Sequence, residues 1–169
     1  QYYWEITCIA NSAGDNFMFG IATADMSLTD YPGQDANGWG YYGNNGNKFH
    51  NGSSSSYGSS YTNGDVIGVA LDMDAGTLSF YKNGSSQGQA FSSITGTVFP
   101  AFADGSSSQS IEYSVNFGQL AFTHTPPTGH LALSTANLPD PAIDPAQGGN
   151  PTEYFNTVLY SGTGSQQSI

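Results

Sequence analysis

Apolar and polar positions alternate with a period of two through most of the N-terminal part of the chain. In Tyr2-Tyr3-Trp4-Glu5-Ile6-Thr7-Cys8, the residues Tyr2, Trp4, Ile6 and Cys8 fall on one face, and Tyr3, Glu5 and Thr7 on the other. That pattern predicts a half-buried strand. It recurs in Phe17, Phe19 and Ile21, in Ile67, Val69, Leu71 and Met73, in Leu78 and Phe80, and in Ile111, Tyr113, Val115 and Phe117. Helical spacing does not take over anywhere in this stretch. Between the runs sit Asn37-Gly38, Asn45-Gly46, Asn51-Gly52, Asn63-Gly64 and Asn83-Gly84, dipeptides that accept positive φ and favour tight reversals. Short strands punctuated this often predict an all-β fold, an antiparallel sandwich or barrel. The clearest hairpin runs from Asp65 to Lys82, with Asp74-Ala75-Gly76 as its turn and Ile67, Val69, Leu71, Leu78 and Phe80 as its core face.

Composition narrows the function. The 169 residues suffice for one ordinary domain plus an appendage. Charged residues are only 9% of the chain while glycine contributes 22, so hydroxyls and amides must solvate the surface. A net charge of -11 arises from 13 acids against Lys48 and Lys82, with no arginine. Phosphate contacts have almost no cations to make them, which excludes nucleic acid and anionic membrane surfaces as partners. Cys8 has no partner for an internal disulfide and lies in an alternating segment, so it reads as a small buried hydrophobe. No apolar run approaches the roughly 18 residues of a membrane span, and no charged-then-apolar leader opens the sequence.

The hairpin residues resemble a known family. Gly64-Asp65-Val66-Ile67-Gly68-Val69-Ala70-Leu71-Asp72 followed by Gly76-Thr77-Leu78-Ser79-Phe80-Tyr81-Lys82-Asn83-Gly84 is similar to the signature hairpin of SPRY domains. Tyr3-Trp4-Glu5-Ile6, Phe19-Gly20-Ile21-Ala22, Gly38-Trp39-Gly40-Tyr41, Lys48-Phe49-His50-Asn51-Gly52, Phe99-Pro100-Ala101 and Val115-Asn116-Phe117-Gly118 resemble the family's other segments, in its order. The resemblance implies a concanavalin-like jelly-roll sandwich over residues 1–122 that recognises proteins or peptides through loops at one end and carries no catalytic residues. The family usually has a strand before the early aromatic one; here the sequence starts at Gln1 without methionine, which reads as a piece of something longer.

Because contact loops vary within such a family, candidate ligand-binding residues come from this chain's own loops. Between Ser27 and Tyr61, Tyr31, Trp39, Tyr41, Tyr42, His50, Tyr57 and Tyr61 stand among Gly, Asn, Ser and Asp. Tyrosine on that background gives large contact area at low entropic cost, and aromatic rings beside amides also suit sugar faces. Tyr31, Trp39, Tyr42, His50, Tyr57 and Tyr61 are the loop candidates; for Trp39 and Tyr41, which fall inside a family segment, a core role competes. Asp65, Asp72 and Asp74 could be an acid pair or a calcium site. The alternative, preferred here, is that Asp74 starts the turn and Asp72 is a solvated face residue. Gly84-Ser85-Ser86-Gln87-Gly88 spells Gly-x-Ser-x-Gly, but a nucleophile elbow needs a helix after the serine, and a Ser/Gly/Gln loop follows. Asn51 and Asn83 sit in glycosylation sequons that also serve as turns. The histidines stand apart, with no metal-ligand spacing. No catalytic residue, metal or cofactor is expected.

The chain changes character after Phe122. Residues 123–151 hold six of the eight prolines and read as an extended connector in which His124 and His130 are solvated. Residues 152–169 include Tyr154-Phe155-Asn156-Thr157-Val158-Leu159-Tyr160, a strand expected to pair with a following module or a neighbouring subunit. The segment from Ala136-Asn137-Leu138-Pro139 onward to Tyr154-Phe155 and Gly162-Thr163-Gly164 resembles connectors in SPRY-containing bacteriophage structural and tail-appendage proteins. That resemblance implies a virion or extracellular location, a host surface molecule or neighbouring subunit as partner, and other copies of the chain in an assembly. A lectin-like carbohydrate-binding domain of an adhesin is the alternative. A jelly-roll glycosidase is a third class, for which no convincing acid pair is present outside turns.

Overall fold

In the computed structural model residues 1–11, 16–104 and 110–137 are described. The alternating runs become two facing antiparallel sheets. Sheet A is built from β1 (Tyr2–Asn11), β6 (Val66–Asp72), β7 (Thr77–Lys82), β8 (Ser85–Phe91) and β10 (Ile111–Asn116), in the order β10-β1-β6-β7-β8. Sheet B is built from β2 (Phe17–Ala22), β3 (Gly38–Tyr42), β4 (Asn47–His50), β5 (Ser53–Ser56) and β9 (Phe99–Asp104), in the order β5-β4-β3-β2-β9. A two-residue strand, β11 (Leu131–Ala132), lies parallel to the start of β1, and a 3-10 turn covers Thr135–Asn137.

The core lies where the inward residues of both sheets meet. Trp4, Ile6 and Cys8 of β1, Phe17, Phe19 and Ile21 of β2, Tyr41 of β3, Ile67, Val69 and Leu71 of β6, and Leu78 and Phe80 of β7 form one buried cluster. Ile111, Tyr113 and Val115 of β10 and Phe117 beyond it pack against it, as the alternation predicts. The Asp65–Lys82 hairpin forms with Leu71 opposite Leu78 and Val69 opposite Phe80. Asn51-Gly52 and Asn83-Gly84 make two-residue turns, with φ of 52° and 69° in the first and 49° and 78° in the second. Both central residues at positive φ is the reversal whose twist matches that of paired strands.

Two outcomes depart from the sequence reading. The predicted polar face of β1 is also buried: Tyr3 and Glu5 are 1% and 2% exposed. They are covered by residues of the expected connector, whose start folds back on sheet A instead of leaving it. The Thr123 and His124 N–H groups donate to the two Glu5 carboxylate oxygens at 2.6 and 2.8 Å, and Tyr3 Oη donates to the same carboxylate at 3.2 Å. Phe122 meets the Tyr3 ring edge-on at 5.1 Å, and the Leu133 N–H donates to the Tyr3 carbonyl at 3.2 Å. A buried carboxylate is costly unless its acceptors are filled, and the backbone of this strap fills them. The strap forms one compact unit with the sandwich through Asn137, past the expected boundary at 122. The rest of the expected connector, 138–151, and the expected strand, 152–169, lie outside the described residues.

Candidate binding surface

The outer face of sheet B carries partly exposed aromatic side chains. β3 reads Gly38-Trp39-Gly40-Tyr41-Tyr42, so the outward positions are two glycines and Tyr42. The glycines let the 23–37 loop lie directly on the sheet. A Cβ on Gly40 would stand 2.1 Å from the Pro32 carbonyl oxygen, and one on Gly38 2.9 Å from Pro32 Cα. This places Tyr31 beside Phe49, outward on β4, with ring centroids 5.9 Å apart. Tyr42 meets the same Phe49 ring edge-on at 5.8 Å and donates from its hydroxyl to Asn16 Oδ1 at 2.7 Å. Burial, with the nearby Asp104 and Tyr31, raises the Tyr42 pKa, so its hydroxyl stays a donor at neutral pH. Tyr31, Tyr42 and Phe49 are all partly exposed and form one aromatic patch. Phe49 was not among the sequence candidates; β4 carries no alternation, and only its pairing with Gly40 in the folded sheet places it outward.

The other candidates go elsewhere. Trp39 and His50 stack at 4.9 Å with ring planes 8° apart, and His50 Nδ1 lies 2.8 Å from the Gly38 carbonyl oxygen. Their rings sit at the seam between β4 and β8, where the Phe91 ring lies 6.2 Å from His50. Lys48 Nζ lies over the Phe91 and Tyr57 rings at 5.3 and 5.8 Å and donates to the Ala90 carbonyl. Tyr57 ties the two sheets: its hydroxyl donates to the Gly88 carbonyl and accepts the Phe80 N–H at 3.1 Å. Burial pushes its pKa up to about 12. Tyr61 is a core residue, 1% exposed, and its hydroxyl donates to the carbonyls of Tyr41 and Phe17 at 2.6 and 3.2 Å. It cannot touch a ligand while the core is intact, and Tyr41 is likewise buried. The sequence candidates thus split into an outer patch (Tyr31, Tyr42), an inter-sheet seam (Trp39, His50, Tyr57) and the core (Tyr61).

The acids are structural. Asp72, not Asp74, starts the turn: its Oδ1 accepts the Asp74 and Ala75 N–H groups at 2.9 and 3.0 Å, while Gln1 Nε2 donates to its Oδ2 at 2.6 Å. The bond from Ala75, then those from Gln1 and Asp74, hold the Asp72 carboxyl below the ordinary carboxylate value. Asp65 pairs with Lys82 Nζ at 3.1 Å and accepts from Thr62 N and Asn83 Nδ2 at 2.9 and 2.7 Å. Asn83 also accepts the Val66 N–H at 2.8 Å, so its amide is engaged at both ends. Ser85 and Ser86 lie in β8, a strand, which removes the nucleophile-elbow geometry. His124 belongs to the strap rather than to a solvated linker: its Nδ1 packs over Gly84, where a Cβ would come within 2.9 Å. Among the described residues no three His, Cys, Asp or Glu side chains gather as a metal site, and no helix is long and apolar enough to cross a membrane.

This architecture has relatives. A model of the SPRY domain matches residues 1–120. The chain belongs to the SPRY family. Its fold is that of the crystal structure of the SPRY domain of human HERC1, with a TM-score of 0.63, 28% identity, and 71% of this chain and 76% of that one covered. Ran-binding protein 9 of Xenopus tropicalis is 30% identical over 122 residues, 72% of this chain and 22% of that protein. The ATP-dependent RNA helicase DDX1 of Xenopus laevis is 32% identical over 136 residues, 80% of this chain and 18% of that protein. The chain spans about a fifth of the length of these curated relatives, so the helicase's activity does not pass to it. SPRY domains are protein-interaction modules, which makes recognition this chain's broad role. The expected virion or extracellular location is overturned: these relatives are eukaryotic proteins named for Ran binding and RNA helicase activity. They lend the bacteriophage resemblance no support.

Proposed function

We propose that this SPRY module holds an extended segment of a partner protein against the outer face of sheet B, with Tyr31, Tyr42 and Phe49 as its anchors. The aromatic patch carries the reading: three partly exposed rings are braced edge-to-face, with the Tyr42 hydroxyl oriented by Asn16. Rigid aromatic anchors give contact area without a large ordering cost. At a net charge of -11, the surface favours a neutral or basic segment.

Selection from a random peptide display library, followed by binding of the selected peptides to Tyr42→Ala and Phe49→Ala, tests this. Each variant should weaken binding by about tenfold or more, with an unchanged melting temperature. Undiminished binding by both variants places the ligand elsewhere. A glycan array run beside it separates the lectin alternative, which requires carbohydrate signal abolished by the same substitutions.

A further inference from the structure

β9 is the last strand of sheet B and, among the described residues, pairs only with β2. Pro100 fixes which of its groups face away. It stands opposite Ile21 and has no N–H to give, so that pair is a non-hydrogen-bonded one. By the same alternation Phe102 directs its N–H and C=O groups away from β2, together with the Pro100 carbonyl. The edge therefore offers donors and acceptors to an incoming strand.

Beside it, on the outer face, lies an apolar groove of ≈ 390 Å³ lined by Ala22, Ala24, Met26, Leu28, Phe99 and Ala101 among others. Leu28 is 97% exposed and Phe99 51%. Large apolar side chains held open next to an edge that pairs with no second strand among the described residues are what native sheets ordinarily avoid. The groove is separate from the aromatic patch. On β2 the partner of Tyr42 is Met18, while Ala22 pairs with Phe99, which places the two surfaces about 13 Å apart along the sheet.

Charge selects the occupant. Asp25 stands exposed between the lining residues Ala24 and Met26, and Asp30 is exposed on the same loop. Both lysines are engaged elsewhere, Lys48 by the Ala90 carbonyl and Lys82 by Asp65. A second copy carrying -11 would be repelled. We propose that the β9 edge and its groove form a second docking surface, which takes an extended basic peptide by strand addition and seats its alternate apolar side chains against Leu28 and Phe99.

The test uses the full chain and a fluorescent, end-capped hexapeptide of alternating lysine and valine, read by anisotropy. Leu28→Asp and Phe99→Asp, both at exposed positions, should each weaken binding by about tenfold or more without lowering the melting temperature. A probe N-methylated at alternate peptide nitrogens should not bind. Equal binding by the methylated probe, or by both aspartate variants, reduces the effect to general charge attraction and overturns the proposal. Sedimentation showing a dimer that these variants dissolve would assign the groove to a second copy. A photo-cross-linker at position 28 that captures residues 138–169 of the same chain would assign it to the protein's own C-terminal segment. Either result also overturns the proposal.

Discussion

The outer faces of the two sheets are both covered, by opposite means. On sheet A the cover is a polar clasp, in which the strap's Thr123 and His124 backbone closes on the Glu5 carboxylate and Phe122 closes on Tyr3. On sheet B the cover is permitted by missing side chains, with Pro32 resting where Gly38 and Gly40 leave room. The clasp depends on one charged group. The glycine contact depends on shape spread along a strand and leaves Tyr31, Tyr42 and Phe49 open. The contrast supports the proposal that ligand contact belongs to sheet B, since the outward groups of Tyr3 and Glu5 on sheet A are engaged by the chain's own strap.

Substitutions can break this contrast in graded steps. Trp4, fully buried in the core beneath both faces, sets the scale: Trp4→Ala should cost about 3–5 kcal/mol in denaturant unfolding, from lost transfer energy and an unfilled cavity. A cost below about 1 kcal/mol would contradict its placement. Glu5→Ala leaves the Thr123 and His124 N–H groups and the Tyr3 hydroxyl without their acceptor, so about 3 kcal/mol should be lost. Protection of the strap amides in hydrogen exchange should fall with it, and cutting the chain after Phe122 should cost a similar amount. A truncated form as stable as the whole would remove the clasp from the account. Gly40→Ala should cost about 1–3 kcal/mol by pushing Pro32 away, and should weaken ligand binding at the patch more than Glu5→Ala does.

The smallest effect is electrostatic. Burial acts to raise the Asp65 pKa, but bonds from Thr62 and Asn83 and the Lys82 charge outweigh it and hold the carboxyl below its ordinary value. A depressed folded pKa means that the contribution is present above the unfolded value near 4 and is lost as pH falls through the folded one. Stability should therefore decline from about pH 4 downward, and Asp65→Asn should flatten that limb of the curve. An unchanged acid limb in the variant would show that Lys82 and Asn83 do not stabilise the charged form.

Much of the fold was legible because burial on one face writes itself as alternation. β1, β2, β6, β7 and β10 carry that signal, and the Asn-Gly pairs mark reversals at Asn51 and Asn83. β5 and most of β8, runs such as Ser53–Ser56, show no such alternation because both their faces are polar, and only their turns betray them. The strap was not legible. Alternation in Tyr3, Glu5 and Thr7 predicts solvent on that face, and nothing local to β1 announces residues more than a hundred positions away that cover it. Prolines in 123–127 suggested an extended connector; here an extended segment is what lies flat on a strand. Tyr61 was misplaced because tyrosine between serine and threonine looks like a loop contact, although its hydroxyl finds carbonyls inside the core. Asp72 and Asp74 exchanged roles because a turn-starting carboxylate can sit at either end of the same short stretch.

The two Asn-Gly turns should also age differently. Deamidation begins when the glycine nitrogen attacks the asparagine side-chain carbonyl carbon, closing a five-membered imide and expelling ammonia; water then opens the ring to aspartate or isoaspartate. Attack requires the side chain to swing toward its own backbone. At Asn83 the amide is held from both ends, by Asp65 and by the Val66 N–H, and cannot swing without opening the hairpin. At Asn51 the same backbone turn carries an exposed side chain with no such hold among the described residues. Peptide mapping after prolonged warm incubation should find isoaspartate accumulating at Asn51 well before Asn83, and Asp65→Ala, which removes one of the two holds, should narrow the difference. The same dipeptide that makes both hairpins thus acts as a chemical clock in one and is stopped in the other.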